Sequence, residues 1–362
     1  MTTPTDKDAL ALYQFRVFST LQGAVTAGMV HLGDRLGLYR ALADREGPSS
    51  SAELAAATGL HERWVREWAY NQGAAGLLTV ESGADGGALI SLPPEGAAVL
   101  ADSDHEAFGA GSFHHLPDTM RALDLVRDSF RTGVGFDYDA QGAEAAVGME
   151  RSFEPWHRAH LVDDVLPLLD GVVERLSAGA AAADVGCGAG GAVLLLAQAF
   201  SSSTFTGYDI SQFAITRAEE RRADLGVANA RFADPRHDPL PTDGRLAFVS
   251  TIECLHDMTD PQGVAAAIRA ALHDDGTWLL VDMKALDGYE ANVAKNPMAA
   301  LMYGMSVLGC LSSALSEPDG AGLGTLGLHE TRAREIAATA GFTRFRRLPV
   351  DHSFLAFYEV RP

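Results

Sequence analysis

The chain is expected to be an α/β protein, with a mainly parallel sheet covered by helices on both faces behind a smaller, mostly helical winged-helix unit. Three observations carry this expectation. From residue 180 onward, strand-like and helix-like segments alternate. Residues 47–92 read as helix, tight turn, helix and hairpin. And 362 residues exceed what one ordinary core accommodates, so two domains are expected.

Composition narrows the function. The hydrophobic share of 47% is that of a folded globular protein. The 48 acidic and 28 basic residues leave a net charge of −20. Such a surface repels phosphate backbones and anionic lipid, which argues against nucleic acid or a membrane as the main partner. The three cysteines, Cys187, Cys254 and Cys310, are far apart and form no CxxC pair. That excludes a disulfide framework or cysteine zinc site and suits a reducing cytosol. The opening MTTPTDKDAL lacks the basic end and apolar stretch of a signal peptide. Residues 297–316 are uncharged over a length that could span a bilayer, yet they hold two glycines and four serines. A buried cap helix fits them better than a membrane span.

The first unit is placed at residues 1–104. Apolar positions at helical spacing run through 17–45, and Ser50 with Glu53 has capping-box spacing at the head of the next helix. Gly59 closes that helix, LHERWVREWAYNQGAAGLL supplies another, and LLTVES, GADGG and ALISL form the wing. A DNA-reading helix should be basic, but Arg63 and Arg66 are offset by Glu62 and Glu67. A packing or dimerising winged helix is the expectation. Residues 105–172 form a helical connector and substrate cap carrying scattered aromatics, Trp156 among them. The second domain spans 173–362, with seven strand candidates: AAAADVG, STFTGYD, ANARFA, RLAFVST, TWLLVDM, FTRFRRL and SFLAFYEV.

DVGCGAGG, residues 184–191, joins the first of these strands to its helix. Glycines let a backbone turn tightly and approach a ligand closely. The Gly186-x-Gly188-x-x-Gly191 spacing also satisfies the dinucleotide fingerprint, so a nicotinamide enzyme is an alternative. Asp184 before the loop can accept hydrogen bonds from an ammonium, and Asp209 at the end of the second strand can take both ribose hydroxyls. The second acid indicates a nucleoside without choosing the cofactor.

Asp184-x-Gly186-x-Gly188-x-Gly190 followed by GYDIS resembles the glycine motif and strand-2 acid of class I S-adenosylmethionine-dependent methyltransferases. With FADP, the last two strands and the winged-helix front, the whole chain is similar to bacterial and plant small-molecule O-methyltransferases. The resemblance implies a seven-stranded Rossmann-like sheet and S-adenosylmethionine as cofactor, with S-adenosylhomocysteine as product. Asp184, Gly186, Gly188, Gly190, Asp209, Ile210, Ser211, Asp234 and Glu253 are then its binding residues, Asp234 holding the adenine amine.

CLHDMTDP resembles the segment in which such enzymes carry a histidine base, which places His256 as base and Asp257 after it. Met258 stands where the family has tryptophan. His256 is thus a base, kept neutral by a nearby sulfonium, or a residue that only packs or caps. Glu253 either contacts cofactor or substrate or is simply solvated. Asp260 before Pro261 reads as a helix cap. Methionines 298, 302 and 305 share a helical face in an insertion at 285–327. They are core, or an apolar lid in which Met302 and Met305, with Trp156, meet the substrate. His157 and His160, three apart, make a weak metal pair, and no metal is expected. The expected function is cytosolic methyl transfer to a small molecule, most naturally at oxygen, by a homodimer. A DNA-binding regulator with a ligand-sensing domain is the rival reading.

Overall fold

The computed structural model describes residues 6–83 and 87–362, and the chain divides into two compact units, Met1–Pro117 and Asp118–Pro362. The tip of the GADGG loop and the first five residues of the N-terminal stretch lie outside the described residues. The first unit extends past residue 104 because Phe108 and Ala110 are buried in its core.

In the first unit, the helix Ser51–Thr58 starts at a reciprocal cap. Glu53 N–H donates to Ser50 Oγ at 3.2 Å and Ser50 N–H to Glu53 Oε2 at 2.8 Å. Gly59 ends it in a left-handed conformation, as the missing Cβ permits. The helix Glu62–Ala74 follows, then β2 (Thr79–Ser82) and β3 (Ala88–Ser91), which pair antiparallel beside β1 (Ser49–Ser50). Helix, helix and wing are as the residue pattern predicts. On the second helix Arg63 pairs with Glu67 at 2.5 Å and Arg66 with Glu62 at 3.3 Å, so its arginines are matched internally. The leading helix is longer than expected, Lys7–Arg35.

The second unit holds a seven-stranded sheet. Its strands are β4 (Ala181–Val185), β5 (Thr204–Tyr208), β6 (Ala230–Ala233), β7 (Leu246–Ile252), β8 (Leu272–Met283), β9 (Arg344–Arg347) and β10 (Leu355–Arg361). They lie in the order β6-β5-β4-β7-β8-β10-β9. All neighbours are parallel except β10, which runs antiparallel to β8 and β9. Period-two alternation sends side chains to two separate cores. Leu279, Val281 and Phe357 pack on one face; Trp278, Leu280 and Tyr358 pack on the other. Strands buried on both faces read as near-continuous apolar runs, which is why β4, β7 and β10 are legible. The strand order reverses between β4 and β7, and ligands bind at the carboxyl ends beside such a reversal.

The segment 297–316 is broken into the helix Ala299–Met305, a wide turn at Ser306–Cys310 and the short helix Leu311–Ala314. Among the described residues no helix is long and apolar enough to cross a membrane.

Candidate active site

A cavity of about 310 Å³ opens above the carboxyl ends of β4, β5 and β7. Its floor is the glycine loop. Gly186, Gly188 and Gly190 all have left-handed φ, at 75°, 52° and 77°. Gly186 N–H and Cys187 N–H both donate to Tyr208 O, at 2.8 and 3.0 Å, and Gly188 N–H donates to Asp209 Oδ2 at 2.8 Å. The loop is thereby tied to the neighbouring strand. A Cβ on Gly186 would lie 2.5 Å from Cys254 Sγ, so only glycine fits there.

Asp184 and Asp209 both face this cavity. Asp184 is 3% exposed and accepts from Ser250 Oγ at 2.7 Å. Burial pushes its pKa up to about 7, the Ser250 bond opposing and the Asp209 charge adding. Asp209 is raised by burial against the pull of the Ser211 and Gly188 N–H groups. Each of its oxygens keeps a free lone pair after those bonds. Ile210 lines the cavity and is exposed. Ser211 is buried and caps the next helix, accepting from Ala214 N–H at 3.2 Å and donating to Asp139.

Other predicted residues sit elsewhere. Among the described residues, the cavity wall is formed without Gly190, Asp234, His256, Trp156, Met302 or Met305. Gly190 is packed against Phe232, whose ring a Cβ would meet at 2.5 Å. Asp234 is clamped by Arg236 at 2.8 Å, which holds its pKa down at about 2; its neighbour Pro235 reaches the cavity instead. Trp156 stacks beside Phe357 and His352 on the core of the sheet. Met302 is buried and its sulfur accepts from Asn296 Nδ2 at 3.2 Å, so it serves packing. The cap segment reaches the cavity through Ser313 and Ser316.

His256 is 2% exposed, with Nδ1 2.6 Å from Asp282 Oδ1. Burial alone would lower its pKa, but Asp282 and the Cys310 thiol outweigh burial and hold it well above the ordinary range. Against the expected neutral ring, the Asp282 carboxylate, unforeseen in the sequence, favours the imidazolium in the empty protein. Solvation of Glu253 is also overturned: its side chain is 5% exposed and lines the cavity. Asp257 lines it too, pushed up to about 7 by burial, with His256 opposing. Asp260 caps its helix as expected, accepting from Gly263 N–H at 2.8 Å.

Sequence reasoning missed Asp282, Tyr138, Glu154 and the cavity-facing role of His157. His157 drew notice only as a metal pair with His160, but the two diverge, His157 toward Glu253 and His160 toward Asp164. Glu154 holds Arg221, whose Nη1 donates to Ala189 O at 2.8 Å and braces the glycine loop. Asp282 had one available signal, a lone acid at the carboxyl end of an apolar strand. Among the described residues no three His, Cys, Asp or Glu side chains converge to hold a metal ion.

A glycine-looped cavity at the strand reversal of this seven-stranded sheet is the architecture of a nucleoside-binding methyltransferase-type domain. Residues 176–326 match the methyltransferase domain family, and residues 24–102 match the Rv2258c-like winged helix-turn-helix domain. The first match places a methyltransferase-like domain within the second unit. Human N-acetylserotonin methyltransferase, solved with S-adenosylmethionine, is 17% identical, with 100% of this chain and 99% of that one aligned at a TM-score of 0.69. The mitomycin 7-O-methyltransferase MmcR is 21% identical, with 98% and 99% aligned at a TM-score of 0.70. At these identities the likeness is one of fold. The polyketide synthase ThaQ of Burkholderia thailandensis is 36% identical over 105 residues, 28% of this chain. The chain spans about 5% of the length of that curated relative.

Proposed function

We propose that the protein transfers the methyl group of S-adenosylmethionine to a hydroxyl of a small molecule. The observation that carries this is the joint placement of Asp184, Asp209 and the glycine loop in one cavity of the methyltransferase domain. The residues fit that cofactor. Asp184 is a buried carboxyl suited to an ammonium, the free lone pairs of Asp209 suit a ribose diol, and Ile210 offers an apolar face to adenine. When bound, the cofactor supplies an electrophilic methyl on a cationic sulfur.

The chain's own residues then position and deprotonate the acceptor. His256 is the proposed base, with Asp282 fixing its Nδ1 as the orienting acid does in other histidine bases. Glu253, Cys254 and Asp257, on the same turn, line the cavity where the buried His256 ring does not, so the acceptor has to reach the ring through that turn. Because Asp282 raises the ring's pKa, His256 accepts a proton only above the ordinary histidine range. Its acid limb in turnover should therefore lie higher than that of a free imidazole.

The internal pairing of Arg63 and Arg66, together with the acidic net charge, supports a winged helix with no nucleic-acid role. The exposed apolar side chains of the leading helix support a homodimer built by that unit, and three unpaired cysteines suit a cytosolic location. Calorimetry with S-adenosylhomocysteine, followed by a mass-spectrometric screen for methylated products, tests the reading. Tight NAD binding without S-adenosylhomocysteine binding would refute it.

A further inference from the structure

Glu253 occupies a position that the fold alone does not require. Among the described residues it is the one non-glycine residue with a left-handed backbone, at φ 59°. Such a conformation costs free energy in an L-residue and collects at functional sites. Its side chain is 5% exposed, and both carboxyl oxygens are buried without a hydrogen-bond partner while facing the cavity. A buried polar group left unpaired is destabilising, so a ligand that pairs with it gains what the empty site lacks.

Among the described residues beside it, the nearby basic side chains are neutral or already engaged. His157 Nε2 lies 3.5 Å from Glu253 Oε1, but burial, helped by His352, lowers that ring to about 4, so it is neutral at pH 7. His256, on the same turn, is committed to Asp282. Arg221, on the cavity wall, is held by Glu150, Glu154 and Ala189 O. Location narrows the ligand group further. Asp209 follows β5 and Asp184 ends β4, whereas Glu253 follows β7 on the far side of β4. Cys254, next to Glu253, touches the turn at Gly186.

We infer that Glu253 is the counter-charge for the sulfonium of the bound cofactor, an assignment that rests on the S-adenosylmethionine reading above. In the empty protein, burial and the nearby Asp282 carboxylate push the Glu253 pKa well up, His256 opposing, which favours the protonated acid. A sulfonium stabilises the ionised form, and binding releases that proton. S-adenosylhomocysteine has the same ammonium, ribose and adenine but a neutral thioether. It offers Glu253 no such counter-charge.

Comparing the two ligands therefore isolates this residue. By calorimetry on the full chain, Glu253→Gln should weaken S-adenosylmethionine at least about tenfold while S-adenosylhomocysteine changes less than about threefold. Equal weakening of both ligands, or no change in either, overturns the assignment. If the variant does not fold, the parent decides the matter. Titrations at pH 7 in two buffers of different ionisation enthalpy should show more proton released with S-adenosylmethionine than with S-adenosylhomocysteine. An equal proton count overturns the assignment in that case. Failure of the parent to bind either ligand refutes the cofactor reading itself.

Discussion

Asp282 Oδ1 stands 2.6 Å from His256 Nδ1, with both side chains buried, and so joins the end of β8 to the turn after β7. The pair fixes one ring nitrogen and leaves the imidazole positively charged over an unusual pH range. A histidine raised in the folded state contributes stability that is fully present below its unfolded pKa near 6.5. That stability is lost as pH rises through the higher folded value. Nuclear magnetic resonance of the ring nitrogens should accordingly show the imidazolium persisting above pH 6.5. Asp282→Asn leaves the ring without its counter-charge, and the ring should then titrate near or below 6.5. Melting should show a loss of about 3–5 kcal/mol, the usual result of orphaning one member of a buried pair. An unshifted ring in the parent refutes the raised pKa, and a silent Asp282→Asn refutes the coupling.

Turnover offers a separate check once an acceptor is found. His256→Ala should cut the rate by about 10²–10⁴ at pH 8 and leave S-adenosylhomocysteine affinity within about threefold. The deficit should shrink toward the pKa of a phenolic acceptor, about 10, where hydroxide takes over deprotonation. Parallel curves for variant and parent from pH 6 to 10 would leave His256 a packing residue.

Cofactor affinity should depend on pH through Asp184. Its pKa of about 7 in the empty site means that roughly half the molecules carry an anion there at neutrality. An ammonium binds the ionised form, so S-adenosylhomocysteine affinity should fall as pH drops from 8 to 6, and Asp184→Asn should remove most of that slope. Asp209→Ala forfeits charge-assisted hydrogen bonds of about 1.5–3 kcal/mol each, hence at least about tenfold in Kd by calorimetry. A pH-independent parent affinity contradicts the first expectation and an unchanged Kd in Asp209→Ala the second.

The leading helix presents Tyr13, Phe15, Phe18, Leu21 and Val25 more than half exposed. An apolar surface of that kind marks an interaction site in a folded protein. Light scattering on the full chain at micromolar concentration should report a dimer, and Phe15→Glu with Phe18→Glu should yield a folded monomer. A monomeric parent rules out a second copy as the occupant.

Much of this architecture is legible in the residues for a physical reason. Strands such as Leu272–Met283 are buried on both faces, so each leaves an apolar run, and glycine loops and caps such as Ser50–Glu53 are local signals. Asp184 and Asp209, which line the cavity, are legible in the same way, because they flank a loop with a fixed offset. The rest of the site comes from long-range packing. Asp282 meets His256 across 26 positions, and Glu253 meets His157 only because the connector helix Ala143–His160 brings it there. No spacing in one segment encodes those meetings. Met302 takes the core alternative of its two readings, since a stripe at helical spacing marks a buried face without saying what lies beyond it.

Two glycines of one loop should separate fold from ligand. Both have left-handed φ, so a Cβ at either costs about 1–2 kcal/mol in backbone strain. At Gly190 the new methyl would also meet the Phe232 ring at 2.5 Å and Ala218 at 3.1 Å, adding about 1–3 kcal/mol of overpacking. At Gly188 it would meet nothing within 4 Å, yet that residue lines the cavity. Gly190→Ala should therefore lower the melting temperature by clearly more than Gly188→Ala. Gly188→Ala should stay folded and weaken S-adenosylhomocysteine about tenfold or more, since the floor can no longer be approached closely. Equal melting losses with unchanged ligand affinity in Gly188→Ala would show that the loop serves the fold at both positions.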